Sequence, residues 1–265
     1  MKTKTNTALR AGITLSLGIF ILVTIYSLGF LGTDKNKSTI LFNANQQAVV
    51  LTAEDGRKID AVLAVPSPRA ETRAPTSYPA VILLSPYMES GQIYGPVPEM
   101  LCQTGMVVLT VNMRASQGPD GTVKLDPQDL ANLHLDAEAA IQFAQKTDGV
   151  DPARIGIMGT GLSSRAAILA TGKLKAIKAL ALISATLDEH AQKILAEPAF
   201  PVFSIFVSIN DGPAALQAED LVAMSKNKAS RLRSFFNAGE GSQIWISPSN
   251  FELAEAVISW FNEQL

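Results

Sequence analysis

The sequence predicts an α/β domain with a mostly parallel central sheet and helices on both of its faces. Two short, continuous apolar runs, residues 80–84 and 107–111, are typical of strands that are buried on both faces. From residue 80 onward, such runs alternate with segments of helical periodicity, as in parallel sheets that are covered by helices. Between residues 153 and 167, a strand-like run also changes to a helix-like one through a turn of small residues.

The N-terminal part predicts a membrane anchor. Residues 11–32 carry no charge and are long enough to cross a bilayer as a helix. The preceding residues 1–10 include Lys2, Lys4 and Arg10, which favours a cytoplasmic N-terminus. A signal peptide cleaved near Ser27-Leu28-Gly29 is the alternative, but its apolar region would exceed the usual length of roughly 7–15 residues.

The predicted organisation is therefore a transmembrane helix, a tether and one folded domain. The tether covers the polar residues 33–46, and the domain covers residues 47–265. We expect this domain to lie outside the cytoplasm, in the periplasm or extracellular space. It would be anchored to the membrane through residues 11–32, or secreted if that segment is cleaved.

The elements of the domain follow in order. Residues 49–52 and 59–65 alternate in polarity around Glu54-Asp55-Gly56, which predicts a β-hairpin. A proline-containing loop, residues 66–77, leads to the first buried strand. Residues 130–146 carry apolar side chains mostly at helical spacing. A strand and a helix flank the small-residue turn. Further strands are predicted at 107–111, 177–183, 200–208 and 231–236. Further helices are predicted at 97–104, 213–226 and 251–264.

Composition argues against several classes of function. A net charge of −2 gives no basic surface for nucleic acid. The single cysteine, Cys102, rules out an internal disulfide, and two histidines are too few for a His-rich metal site. No zinc-like spacing of ligands is present. We therefore expect no metal, no cofactor and no nucleic-acid partner.

The small-residue turn resembles a motif of nucleophilic catalysis in its small flanking residues. In the G-x-S-x-G nucleophile elbow, a sharp turn between strand and helix exposes a serine above the sheet. Here the five residues are Gly159-Thr160-Gly161-Leu162-Ser163. The small flanking positions are kept, whereas glycine stands at the nucleophile position.

With this turn, the sequence resembles the α/β-hydrolase superfamily, particularly its dienelactone-hydrolase-like and small esterase or peptidase branches. The resemblance rests on the opening hairpin and on three segments after it, which are residues 114–118, residues 150–156 and the elbow. It implies an α/β-hydrolase fold whose catalytic serine falls on Gly161. The catalytic acid would be Asp211, or its neighbour Asn210, and the histidine position falls on Glu240.

These positions predict a catalytic triad that has lost its chemistry. A serine hydrolase needs a histidine to take the proton of the serine and an acid to orient the histidine. Gly161 offers no nucleophile, and Glu240 is a weak base whose unperturbed pKa is near 4.3. The resemblance implies oxyanion donors at the backbone amides of Leu162 and Tyr87, since Pro86 has no N–H.

Three other residues are candidate substitutes for the missing nucleophile and base. Ser163 and Ser164 lie near the elbow, and His190 is the one histidine that could visit the pocket; we expect Ser163 to fill a small-residue position and His190 to be a solvated loop residue. The leading hypothesis is an inactive, membrane-anchored pseudoenzyme that binds a small molecule or a protein. The alternatives are an active serine-type ester or peptide hydrolase with a displaced nucleophile, and a scaffold subunit of an envelope complex.

Overall fold

The computed structural model describes residues 43–67, 75–114 and 127–265, which form an eight-stranded sheet with helices on both faces. The strands are β1 (Asn43–Thr52), β2 (Lys58–Ser67), β3 (Tyr78–Leu84), β4 (Val107–Val111), β5 (Val150–Thr160), β6 (Ala179–Ile183), β7 (Val202–Ser208) and β8 (Arg231–Phe235). The helices are α1 (Val97–Gln103), α2 (Pro127–Ala131), α3 (Leu133–Lys146), α4 (Leu162–Leu174), α5 (Glu189–Leu195), α6 (Gly212–Met224) and α7 (Asn250–Gln264). Two 3₁₀ turns, Gly91–Tyr94 and Gly241–Ile246, complete the set.

The sheet confirms the predicted mostly parallel arrangement. Its strand order is β1-β2-β4-β3-β5-β6-β7-β8. The hairpin strands β1 and β2 are antiparallel to each other, and β2 is antiparallel to β4, whereas every other pair is parallel. The carboxyl ends of six strands therefore meet at one edge, which is where ligands bind in open α/β sheets.

The two faces of the sheet each carry a core. In β6, Leu180 and Leu182 pack with the core under α3 to α6, while Ala179, Ala181 and Ile183 face the core under α1 and α7. This alternation follows from the two-residue period of a strand. All five residues are fully buried, which explains why the strand reads as a continuous apolar run.

Two glycines of β5 allow helices to approach the sheet. A Cβ on Gly156 would lie 2.6 Å from the ring of Phe261 in α7, and one on Gly159 would lie 2.5 Å from the backbone of Ser163 in α4. Both distances are too short for a real side chain. The glycine at position 159 thus permits the close crossing of strand and helix that the elbow requires.

Some boundaries differ from the sequence prediction. β1 begins at Asn43, so residues 43–46 belong to the sheet and not to a tether. The predicted helix at 130–146 is two helices, because the backbone at Asn132 (φ −99°, ψ 6°) departs from helical values. In the described part of the chain, no helix is long and apolar enough to span a membrane. The predicted anchor, residues 11–32, lies outside the described residues.

Candidate active site

The candidate site lies at the edge where the parallel strands end, and its loops carry unusual backbone conformations. Positive φ angles occur at Met88 after β3 (68°), Gly161 after β5 (59°), Ser184 after β6 (47°) and Asn237 after β8 (50°). Three of these residues have a Cβ, for which such angles are uncommon. Conformations of this kind cluster at functional sites, where the surrounding structure enforces them.

Gly161 has the backbone of a nucleophile elbow without the nucleophile. Its φ of 59° and ψ of −122° place it between the end of β5 and the first turn of α4. Its N–H donates to the carbonyl of Ile183 at 2.8 Å, which ties the turn to the neighbouring strand. A Cβ built on Gly161 would meet no atom within 4 Å. The position of a catalytic serine side chain is therefore open space.

Ser163 and Ser164 are enclosed. The side chain of Ser163 is 1% exposed; its hydroxyl accepts from the N–H of Thr160 at 2.8 Å and donates to the carbonyl of Thr160 at 3.0 Å. Ser164 is fully buried, and its hydroxyl donates to the carbonyl of Gly159 at 2.8 Å. These bonds hold the start of the helix against the end of the strand. Neither hydroxyl faces a space that a substrate could enter.

Asp211 contacts the loop around Glu240. The carboxylate of Asp211, at the end of β7, accepts from the backbone N–H of Gly241 at 3.2 Å. The Ser184 hydroxyl donates to the carbonyl of the same Gly241 at 3.1 Å. Glu240 itself is exposed to solvent. Asp211 thus holds the loop around Glu240 through its backbone.

A further contact ties this loop to the segment after β3. The Ser242 hydroxyl donates to the carboxylate of Glu89, across 153 positions of the chain. Glu89 follows Tyr87, the half-buried candidate for an oxyanion donor. Tyr87 and Leu162, the other candidate, follow β3 and β5, which are paired neighbours. The two backbone amides therefore lie beyond the carboxyl ends of adjacent strands, at the same edge of the sheet.

A buried polar network fills the space beneath the elbow. The indole N–H of Trp245 donates to the Thr160 hydroxyl at 3.1 Å, and the Tyr94 hydroxyl lies 3.4 Å from the same oxygen. Tyr94 also donates to the carbonyl of Leu84. The two rings meet edge to face with centroids 5.0 Å apart. Because burial raises the pKa of Tyr94, this hydroxyl stays protonated at neutral pH and remains a donor.

Four further members of the site, Glu89, Tyr94, Ser184 and Trp245, are not predicted from the sequence. Their contacts join segments that are far apart in the chain, such as Thr160 with Trp245, 85 positions later. No local pattern signals such a pair. The one available signal is that the segments follow different strands whose carboxyl ends meet.

The prediction that His190 lies in a loop is wrong. It is the second residue of α5, and its side chain is exposed. The helix begins there because the Asp188 carboxylate accepts from the N–H of Ala191 at 2.9 Å, which satisfies a free donor of the first turn. Among the described residues, no hydrogen bond joins His190 to Gly161, Asp211 or Glu240.

An apolar groove lies directly beside the elbow. Its volume is about 540 Å³, and Leu162, the residue after Gly161, forms part of its wall. At its rim, Arg165 pairs with Asp188 at 2.7 Å. The remaining lining residues are Pro127, Leu130, Ala131, Leu133, Ala166, Thr186 and Leu187. A groove of this volume is in the range of small-molecule sites.

The edge carries a buried acid, Asp211, and an exposed carboxylate, Glu240, near the open turn at Gly161. Within residues 43–67, 75–114 and 127–265, no group of three or more His, Cys, Asp or Glu side chains could hold a metal ion. Cys102 is fully buried, and burial raises its thiol pKa to about 12, so it offers no thiolate. What remains at the edge is an open elbow, paired loops and an apolar groove.

Solved structures share this architecture. No protein-family model and no curated protein matches the chain. The dienelactone hydrolase from Anabaena variabilis superposes with a TM-score of 0.64 at 18% identity, covering 84% of this chain and 99% of its own. Est1E from Butyrivibrio proteoclasticus superposes with a TM-score of 0.62 at 17% identity, and the match covers 82% of this chain and 98% of Est1E. An acetyl xylan esterase from Paenibacillus sp. R4 superposes with a TM-score of 0.62 at 16% identity, and the match covers 88% of this chain and 87% of the esterase. At these identities the likeness shows the fold alone.

Proposed function

We propose that this chain, which has the α/β-hydrolase fold, is catalytically inactive and binds a mostly apolar ligand in the groove beside its elbow. The observation that carries the proposal is the open space at Gly161, where the fold would place a nucleophile. Serine hydrolysis needs a nucleophile, a base and an orienting acid, of which this site keeps only the acid. On this proposal, the fold is retained but the nucleophile and the base are absent.

The alternative of a displaced nucleophile is disfavoured by the geometry of the elbow. Attack by Ser163 or Ser164 would require a base within hydrogen-bonding reach and a path for the substrate. Both hydroxyls are instead bonded to backbone groups inside the protein. Moving either of them outward would break the contacts that join β5 to α4.

We further propose that residues 11–32 anchor the chain in a membrane and that the folded domain lies outside the cytoplasm. The support is the uncharged length of this segment together with the basic residues before it. Protease treatment of intact and lysed spheroplasts tests the proposal. We expect the domain to be digested in both samples, while a cytoplasmic marker is digested only after lysis; protection of the domain in intact spheroplasts would contradict the proposal.

Activity is tested by treating the full-length chain with a fluorophosphonate, which labels activated serines, and measuring the intact mass. We expect no adduct. The matched variant carries Gly161→Ser and Glu240→His, which supply a nucleophile and a base at the positions that the fold assigns to them, and we expect it to gain one adduct. An adduct on the unaltered chain would overturn the proposal, and peptide mapping would identify the serine.

Ligand binding is tested with an apolar fluorescent probe, 1-anilinonaphthalene-8-sulfonate. Leu162→Asp places a charge in the groove wall and should lower the bound fluorescence several-fold. Leu216→Asp is the control, because Leu216 is 82% exposed and does not line the groove. An equal loss in both variants, or no loss in either, would contradict binding in the groove.

A further inference from the structure

The two edges of the sheet differ sharply in how they are protected. The edge strand β8 carries Arg231 and Arg233, which pair with Glu263 and Glu252 at 3.0 Å each. The other edge strand, β1, has ten residues, Asn-Ala-Asn-Gln-Gln-Ala-Val-Val-Leu-Thr, with no charge and no proline. Edge strands normally carry such residues because they prevent pairing with another chain. β1 lacks this protection.

The backbone of β1 has a free side. Among the described strands, β1 has β2 as its one neighbour. The N–H of Ala53 donates to the carbonyl of Arg57 at 2.9 Å, which sets the phase of the hairpin ladder. Because hydrogen-bonded pairs alternate in an antiparallel ladder, the odd-numbered residues of β1 bond to β2. The even-numbered residues 44, 46, 48, 50 and 52 therefore direct their N–H and C=O groups away from the sheet.

This free side is exposed in its central part. The side chains of Gln46, Ala48, Val50 and Thr52 are all exposed, and Val50 is 59% exposed. Val62 of β2, opposite Ala48 in the register, adds a further exposed apolar side chain to the same face. An unpaired strand of this length with apolar side chains is a template for strand addition.

We propose that β1 pairs antiparallel with β1 of a second copy of the chain, about a two-fold axis at Ala48. The five residues with outward backbone groups are symmetric about this position. The pairing sets Ala48 against the partner subunit's Ala48, Gln46 against the partner subunit's Val50, and Ala44 against the partner subunit's Thr52. No charge meets a like charge, and the smallest side chain lies on the axis, so the strand is complementary to itself.

The dimer forms one continuous sheet across two copies. Its contacts are mostly backbone hydrogen bonds of a single strand pair, so the buried area is small. Interfaces at the small end of the size range belong to transient complexes. The dimer is therefore reversible and depends on concentration. It leaves the groove beside Leu162 free, because β1 and β5 are separated in the sheet by β2, β4 and β3.

Cysteine cross-linking of the full-length chain in detergent tests both the dimer and its register. In Ala48→Cys the two thiols face each other across a hydrogen-bonded pair with Cα atoms about 5.5 Å apart, which a disulfide can bridge. Mild oxidation should give a dimer that a reductant reverses. Thr52→Cys is the matched control on the same strand and face. Its two copies would lie about 27 Å apart and should not cross-link. The native Cys102 is fully buried and does not interfere.

A charge on the edge provides a second test. Val50→Lys should remove the dimer in sedimentation velocity, whereas Val62→Lys, on β2, leaves the outward backbone of β1 unchanged and should keep it. A chain that stays monomeric at the highest soluble concentration would overturn the proposal. Equal cross-linking of the Ala48→Cys and Thr52→Cys variants, or a dimer that survives Val50→Lys, would also overturn it.

Discussion

The carboxylate of Asp211 accepts a hydrogen bond from the backbone N–H of Gly241 at 3.2 Å. In the triad arrangement that the fold implies, the acid at this position orients a histidine side chain. Here it holds the loop that would carry that histidine. Asp211 is buried and Gly241 is half-buried, so loss of the bond would leave a half-buried donor without this partner. The carboxylate thus has a structural role in holding this loop.

Asp211→Ala should therefore destabilise the fold. The expected loss is about 0.5–1.5 kcal/mol in the free energy of unfolding, since the half-buried N–H of Gly241 loses its partner. Asp211→Asn retains a carbonyl acceptor and should lose less. Urea unfolding monitored by tryptophan fluorescence measures both, because Trp245 lies in the same loop segment. Equal losses in the two variants would contradict this role of the carboxylate.

Gly161 and Gly159 should respond differently to the same substitution. Gly161→Ala adds a methyl group to open space, so its cost comes from the positive φ, about 1–3 kcal/mol. Gly159→Ala drives a methyl group into the backbone of Ser163 and forces strand and helix apart. Urea unfolding should rank Gly159→Ala as the more damaging of the two. The reverse ranking would show that the elbow does not have the conformation described here.

Much of the fold could be predicted from the sequence because its signals are local. The run at 80–84 is a strand buried on both faces, and the Asp55-Gly56 turn joins the hairpin strands, as predicted. The short helix α5 was missed, since seven residues are too few to show periodicity. It depends on a cap from Asp188 and on the burial of Ala191 and Leu195.

The candidate site could be predicted only in outline. The positions of Gly161 and Asp211 follow from motifs that lie close in sequence to a strand end. The bonds of Glu89 with Ser242 and of Thr160 with Trp245 depend on how distant loops meet, which the sheet topology decides. The apolar groove arises in the same way, from α2, α4 and the loop after β6.

Asp188 should make the stability depend on pH. Although burial opposes it, the N–H of Ala191 and the guanidinium of Arg165 hold the pKa of Asp188 below its ordinary value. A carboxyl whose pKa is lower in the folded state contributes stability above its unfolded pKa of about 3.9, and loses it as pH falls through the folded value. Asp188→Asn keeps a capping oxygen and removes the charge.

The difference in unfolding free energy between wild type and Asp188→Asn should therefore shrink as pH falls from neutral to below the folded pKa. Since the ion pair with Arg165 is partly exposed, we expect a difference of at most about 1 kcal/mol at neutral pH, and a smaller one at high salt. Urea unfolding at several pH values measures it. A difference that grows on acidification would contradict the sign of the pKa shift.

Cys102 should be unreactive in the folded protein. Burial in α1, with Glu99 nearby, raises the pKa of its thiol to about 12, and the side chain is fully enclosed. Only the thiolate attacks a disulfide reagent, so Ellman's reagent at about pH 8 should label the native chain far more slowly than an exposed thiol. Ala48→Cys supplies the exposed thiol in the same protein, and denaturant should make both thiols react. Equal rates in the native state would mean that α1 opens readily, and the close packing of this helix against the sheet would then be wrong.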